Sequence, residues 1–404
     1  LQHNLFGKNI RTSYHRIRIT NTLIWLFGIS IFLTSCGNNG QSLTTTENNE
    51  QFFTINANSA KKISRVKITN KGSTEIGINL EFNDNSFYTS YEDILSEIIK
   101  MPADYSNEPF QRKLWRYIVK NRYSFHPYTG NAWGHSPAIF FNSIGFGYCD
   151  DSASLFYILA KKSGYEARVW GLGGHVVAEV WIGDHWEMYD PDLAVYYLNE
   201  KRQVAGVEYL ASNPQLITMP IDPIIPYAAS VSIPTAYTQE VAEIYATTDS
   251  NWTGEYYHYQ VDFPEYDYPF NLPPNSYLEF PVKLEHPLKS IFDYDVPKYS
   301  VMRLMLPKGW AGNIKLPFVI LAINGAGTIS LNNKLYTINS TEAVKLLDDR
   351  INIINQTSII ESLANIEILF LVNDSRFDMS NLYSFNIESI FPKQLEILLT
   401  DVSN

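Results

Sequence analysis

The dipeptide Gly183-Asp184 constrains this chain more than any other short stretch. It separates two alternating runs, His175–Ile182 and His185–Asp190, which between them carry three Val, two Trp and one Tyr. A two-residue loop of this kind closes a β-hairpin in a set register. Ile182 then faces His185, and pairing runs Trp181–Trp186, Glu179–Met188, Val177–Asp190 and His175–Asp192. Side chains alternate along a strand, so His175 and Asp190 share a face as diagonal neighbours, roughly 7–8 Å apart at the backbone. Asp192, directly opposite His175, is a rival partner. A slip of one residue would turn both aspartates away.

A nucleophile stands upstream. The spacing of Leu155, Phe156, Ile158 and Leu159 predicts a helix over Cys149–Lys162, with Gly164 as its stop. Gly145-Phe146-Gly147-Tyr148 leads into it and lets the chain turn sharply before Cys149. Unpaired N–H groups at a helix N-terminus favour a thiolate, whereas Asp150 and Asp151 oppose one. A partnering imidazolium is therefore needed, and His175 fits, with Asp190 to orient it. Spacing brings no second metal-ligand pair to His175, so neither a metal nor a cofactor is expected. His185 points to the opposite face, Glu179 reads as structural, and Trp181 with Trp186 reads as cross-strand packing.

Four stretches now stand together: Gly147–Phe156, Gly164–Val169, Gly174–Val180 and Trp186–Pro191. With Cys at a helix start, His on one strand and Asp before Pro on the next, they resemble the transglutaminase-like core. The resemblance covers about residues 110–195. It implies a papain-related α+β fold, a helix packed on an antiparallel sheet. It also implies that Cys149 is the nucleophile, His175 the general base and acid, and Asp190 the residue that orients it. That family often places an upstream aromatic or amide side chain at the oxyanion. Asn131, Trp133, His135 and Asn142 are near enough, and Trp133 is preferred, beside the Cys149 backbone N–H. No calcium loop of the animal cross-linking enzymes is recognisable. The implied substrate is an amide bond of a peptide or protein, opened through an acyl-enzyme. Release by water is favoured over transfer to an amine, because extracellular bacterial members more often resemble proteases. The alternative is a non-catalytic scaffold, or a surface lipoprotein that binds glycan or protein.

Residues 1–35 contain no Asp or Glu, and Lys8, Arg11, Arg16 and Arg18 precede the apolar run Leu23–Leu33. That run is too short for a membrane span, which takes about 20 residues, and has the length of a signal-peptide core. It ends in Leu33-Thr34-Ser35-Cys36, which resembles the bacterial lipobox and makes Cys36 the expected lipidation site. The expected location is a bacterial envelope, outside the cytoplasm, with membrane contact through the lipid anchor. The choice of inner or outer membrane stays open. Losing four positive charges from a net −11 would leave a more acidic body. That balance argues against a nucleic-acid partner, which needs clustered Lys and Arg.

The remainder divides, on this reading, into five segments: a signal peptide (1–35), a lipidated Cys and flexible tether (36–51), an N-terminal β-hairpin and helix leading into the core (52–105), the core (106–220), and a β-rich C-terminal domain (221–404). Alternation over 64–82, broken at Asn70-Lys71-Gly72-Ser73, predicts the hairpin; Ser90 with Asp93 opens the helix. Beyond Pro220 come short strands, among them Glu255–Phe263, Leu278–Leu284, Lys315–Ile323, Thr328–Leu331, Leu335–Ile338, Ile368–Val372 and Gln394–Leu399, with one helix near Thr341–Ile351. Aromatics at 14% and charged residues at 18% fit such packed β-structure. The C-terminal part therefore reads as β-sandwich-like. Its tyrosines offer glycan contact by stacking, with strand packing as the stronger reading.

Overall fold

The structure is a computed structural model. It describes residues 40–43, 52–56, 63–124, 135–222, 236–246, 252–254, 267–283, 299–314, 316–331, 334–339, 357–382, 384–389 and 394–401. Cys36, Asn131, Trp133, the Glu255–Phe263 run and the helix near Thr341–Ile351 lie outside the described residues.

Helix and antiparallel sheet combine in an α+β architecture. One sheet has the strand order Gly40–Leu43, Leu395–Asp401, Ile63–Asn70, Tyr277–Phe280, Ser300–Leu306, Ile366–Val372, Ile320–Asn324. A second runs Phe270–Leu272, Ile76–Phe82, Ser384–Ser389, Phe52–Asn56. Val66, Ile68, Leu304 and Phe370 of the first share one buried core with Ile78, Leu80, Phe82 and Phe385 of the second. Period-2 alternation places these side chains on the inner faces, as in a two-sheet sandwich.

This topology corrects three expectations. Ile63–Asn70 and Ile76–Phe82 do not pair with each other; one enters each sheet, so 64–82 is a crossing between layers, not a hairpin. Gly40–Leu43, inside the expected flexible tether, pairs with Thr400 to Ile397. A backbone ladder needs no apolar periodicity at a sheet edge, so nothing in the side chains announced it. The sandwich is also not confined to residues 221–404. Strands from both ends of the chain build the sandwich, and the segment between Ser86 and Phe270 is inserted into it.

The insertion holds a second sheet system, ordered His185–Tyr189, His175–Ile182, Ala167–Leu172, Trp252–Gly254. Helix Cys149–Lys162 packs Leu155, Phe156 and Leu159 against Val169, Val180 and Tyr189 on one face. Helices Val207–Ser212 and Gln239–Ala246 cover the other face through Leu210, Val241 and Tyr245, against Trp170, Val177 and Met188. Helices Tyr91–Lys100 and Phe110–Lys120 complete the first layer. Ser90 caps the former: its hydroxyl accepts from the Asp93 N–H at 3.2 Å, and Asp93 accepts from the Ser90 N–H at 3.1 Å. No described helix is long and apolar enough to cross a membrane.

Sandwich and insertion meet along residues 139–146. Ile139, Ile144 and Phe146 bury against Val301, Val319, Leu321 and Leu371. The Ser143 hydroxyl donates to the Leu371 carbonyl at 2.6 Å and accepts from the Val319 N–H at 2.9 Å. The Asn373 amide donates to the carbonyls of Phe141 (3.2 Å) and Asn121 (3.3 Å). Nearby, Arg376 lies 3.8 Å over the Tyr88 ring and donates to Glu97 at 3.0 Å.

Gly145 closes this seam with φ +68, and a Cβ there would fall 2.0 Å from Asn373 Oδ1. Gly145→Ala therefore combines left-handed backbone strain with a clash against a buried amide. Urea denaturation should report a loss of about 2–4 kcal/mol. A loss below about 1 kcal/mol would contradict the seam as described.

Candidate active site

Cys149 is the first residue of its helix and a partly exposed free thiol. Tyr148 precedes it in extended conformation, and its N–H donates to Asp151 Oδ2 at 2.9 Å. That carboxylate occupies an otherwise unpaired helix-start N–H. Burial, reinforced by the neighbouring charge of Asp150, pushes Asp151 up to about 6. Asp150 is held below the usual carboxylate range: burial would raise it, but a hydrogen bond and charge from His135 prevail.

The hairpin has the register its turn dictates: His185 opposite Ile182, Trp186 opposite Trp181, Met188 opposite Glu179. His175 opens its strand, buried, and its Nε2 lies 2.7 Å from Asp190 Oδ2. With Nε2 so engaged, the Cys149 thiol lies within 4.8 Å of the same imidazole, donor atom to donor atom. Burial disfavours a charged ring here, yet Asp190 and then Cys149 hold the His175 pKa well above the ordinary histidine range.

Asp190 is fully buried. Just past the end of its strand, it pairs through the backbone with Val195, and its Oδ1 accepts from the N–H groups of Asp192 and Leu193, each at 2.9 Å. One carboxylate oxygen thus caps the local turn while the other faces His175. Asp192, the rival, also brings a carboxylate oxygen within 4.8 Å of His175 and Cys149, while its Oδ1 takes a guanidinium hydrogen bond from Arg122 at 2.6 Å.

Two contributors to Asp190 escaped the sequence reading. Trp115 is fully buried and donates Nε1–H to the Asp190 carbonyl at 3.1 Å. Tyr245 donates its hydroxyl to Asp190 Oδ2 at 3.2 Å. It comes from helix Gln239–Ala246, within the stretch expected to be β-rich. Val241, Ala242 and Tyr245 at helical spacing were the available signal.

The remaining candidates are structural by their contacts. Glu179 is fully buried and accepts from Trp170 Nε1 (2.5 Å), Arg168 Nε (2.6 Å) and the Val207 N–H (2.6 Å). Asn142 bonds both the N–H and the carbonyl of Tyr88, each at 2.9 Å. Trp181 and Trp186 pack edge-to-face with centroids 5.3 Å apart. His185 Nδ1 lies 3.0 Å from Asp184.

Two groups bring potential metal-donor atoms within 4.8 Å of one another: Cys149, His175 and Asp192, and His135, Asp150 and Asp151. The linear spacing around His175 had offered no such convergence; the fold supplies it by bringing a helix start to the hairpin end.

Among known proteins, the family model of the transglutaminase-like superfamily matches residues 103–191. This region therefore carries a transglutaminase-like domain, and it includes Cys149, His175 and Asp190 but not Asp192 or Tyr245. No curated protein and no solved structure matched the chain.

A raised imidazole pKa in the fold carries a sign. The stability gained from protonated His175 is fully present below its unfolded value of about 6.5 and is lost as pH rises through the raised folded value. The stability difference between wild type and His175→Gln, from urea denaturation, should therefore shrink as pH climbs above about 6.5. A difference independent of pH would refute a charged His175.

Proposed function

We propose that this protein is an envelope-anchored cysteine enzyme that opens amide bonds of peptides or proteins through an acyl-enzyme. One observation carries the proposal: the imidazole of His175 lies 2.7 Å from Asp190 and within 4.8 Å of the Cys149 thiol at a helix start. A lone cysteine would be a small buried hydrophobe; this one is partly exposed and faces an oriented base.

The chemistry follows from the arrangement. The Cys149 thiolate attacks the amide carbon, and the carbonyl electrons move onto oxygen. Backbone N–H groups of the first helical turn face developing negative charge there, with Trp133 expected to assist. Protonated His175 gives its proton to the leaving amine as the C–N bond breaks, leaving a thioester. The imidazole then takes a proton from water, which attacks the thioester and frees the acid and the thiol. Asp190 keeps the ring in one orientation and stabilises its charge throughout, without itself accepting the proton. Hydrolysis is the favoured outcome, and an amine in place of water would give acyl transfer by the same steps. The anchor in this proposal is Cys36, at the end of the Leu33-Thr34-Ser35-Cys36 motif. It attaches the body by acyl chains, about 0.8 kcal/mol per buried methylene.

With Cys36→Ser, the chain keeps a single thiol. Cys149 in that background should be alkylated rapidly below about pH 7, and His175→Ala should slow this at least tenfold. Alkylation that follows an ordinary thiol near pH 8.5, unaltered by His175→Ala, would overturn the enzyme reading in favour of a scaffold. With peptide substrates, free acid should dominate over amide product when an amine is added. The reverse ratio would replace hydrolysis by transfer.

A further inference from the structure

We propose that Arg122 is a positioning residue that clasps the two halves of the active site and neutralises a carboxylate beside the nucleophile. The inference rests on the reading of Cys149 and Asp190 given above.

Arg122 follows the C-cap of helix Phe110–Lys120 and precedes Tyr123-Ser124, which pairs in parallel with Phe146-Gly147. Its side chain is only 2% exposed. One arm of the guanidinium donates to the Gly147 carbonyl at 2.7 Å and to Asp192 Oδ1 at 2.6 Å. The other donates to the carbonyls of Pro191 at 3.0 Å and Asp192 at 3.2 Å. Gly147 lies two residues before Cys149, while Pro191 and Asp192 directly follow Asp190. A single planar group thus sets the separation between the approach to the nucleophile and the turn that holds the aspartate. Lysine cannot reproduce this, because its point charge lacks the rigid fork.

Charge adds a second role. Donor atoms of Asp192 and Cys149 lie within 4.8 Å of each other. An uncompensated carboxylate at that distance would oppose a thiolate. Buried Arg122 meets the partly exposed Asp192 with opposite charge, so the thiolate is spared that repulsion.

Two substitutions in the full chain carrying Cys36→Ser separate this role from plain stability. The readouts are the iodoacetamide alkylation rate of Cys149 across pH and the thermal midpoint. Arg122→Gln leaves Asp192 unbalanced, and its alkylation profile should move about one unit to higher pH, tenfold in rate at a fixed pH on the rising limb. Asp192→Asn keeps an acceptor for Arg122 and removes the negative charge, so its profile should move to lower pH. Opposite displacements support the clasp. Profiles that coincide with wild type, even with a lowered thermal midpoint, would reduce Arg122 to a structural residue and overturn the proposal. Should Arg122→Gln fail to fold, Asp192→Asn decides alone: displacement to lower pH supports the proposal, and no displacement overturns it. The comparison is with wild type. A wild-type thiol of ordinary reactivity would therefore sink the enzyme reading separately from the direction of these displacements.

Discussion

The approach to Cys149 is buried and irregular, and its backbone polar groups must nevertheless be satisfied. Residues Pro137–Ile139 form a short helical turn that runs into a wider one, Phe140–Ile144, closed by the Gly145 N–H donating to the Phe140 carbonyl at 2.9 Å. Wide turns of this type leave carbonyls without the regular partners of an α-helix. The sandwich supplies what is missing through Asn373, whose side-chain amide donates to the Phe141 carbonyl and whose backbone N–H donates to the Asn142 carbonyl at 3.2 Å. An unpaired buried carbonyl costs on the order of 1–3 kcal/mol, so the seam is a condition for this segment having one conformation. Everything downstream inherits its position from there, because Phe146-Gly147 leads directly to the helix start.

Opposite that segment, the hairpin end uses a different device. Asp190 is asked to do two things with two oxygens, capping its own turn and facing His175. Because the turn-capping oxygen is held by two backbone N–H groups, the other cannot rotate away without breaking both. Tyr245 and the Trp115–carbonyl bond fix the same residue from two more directions. Preorganisation of this kind keeps a hydrogen bond short without relying on the mobility of a loop.

Much of this was legible in the residues. Gly183-Asp184 dictated the register, and the register alone placed His175 and Asp190 on one face; the observed ladder is the same pair for pair through Tyr189. Helices at 91–100 and 149–162 follow from a cap and an apolar stripe respectively. What could not be read is everything that depends on distant pairing. Alternation told that Val66, Ile68, Ile78 and Leu80 are inward residues, but not that the two runs enter different sheets. The same applies to Tyr245, an ordinary apolar-face residue until the fold brings it to Asp190. Asp192 was undecidable for another reason: its orientation depends on Arg122, which sits 70 residues earlier.

The discontinuous sandwich has a consequence for how the chain acquires its shape. Strand Ile63–Asn70 lies between Tyr277–Phe280 and Leu395–Asp401, so neither neighbour exists until most of the polypeptide has been made. Its contacts are of high sequence separation, the kind that form slowly because a long loop must close first. The inserted helices and hairpin, by contrast, are built largely from nearby residues. Once folded, they would bring the strand that enters the insertion, Ile76–Phe82, toward the one that leaves it, Phe270–Leu272, which are direct partners. The domain that bears the thiol would then act as a template for closing the sandwich around it, with Leu395–Asp401 completing the sheet beside Ile63–Asn70.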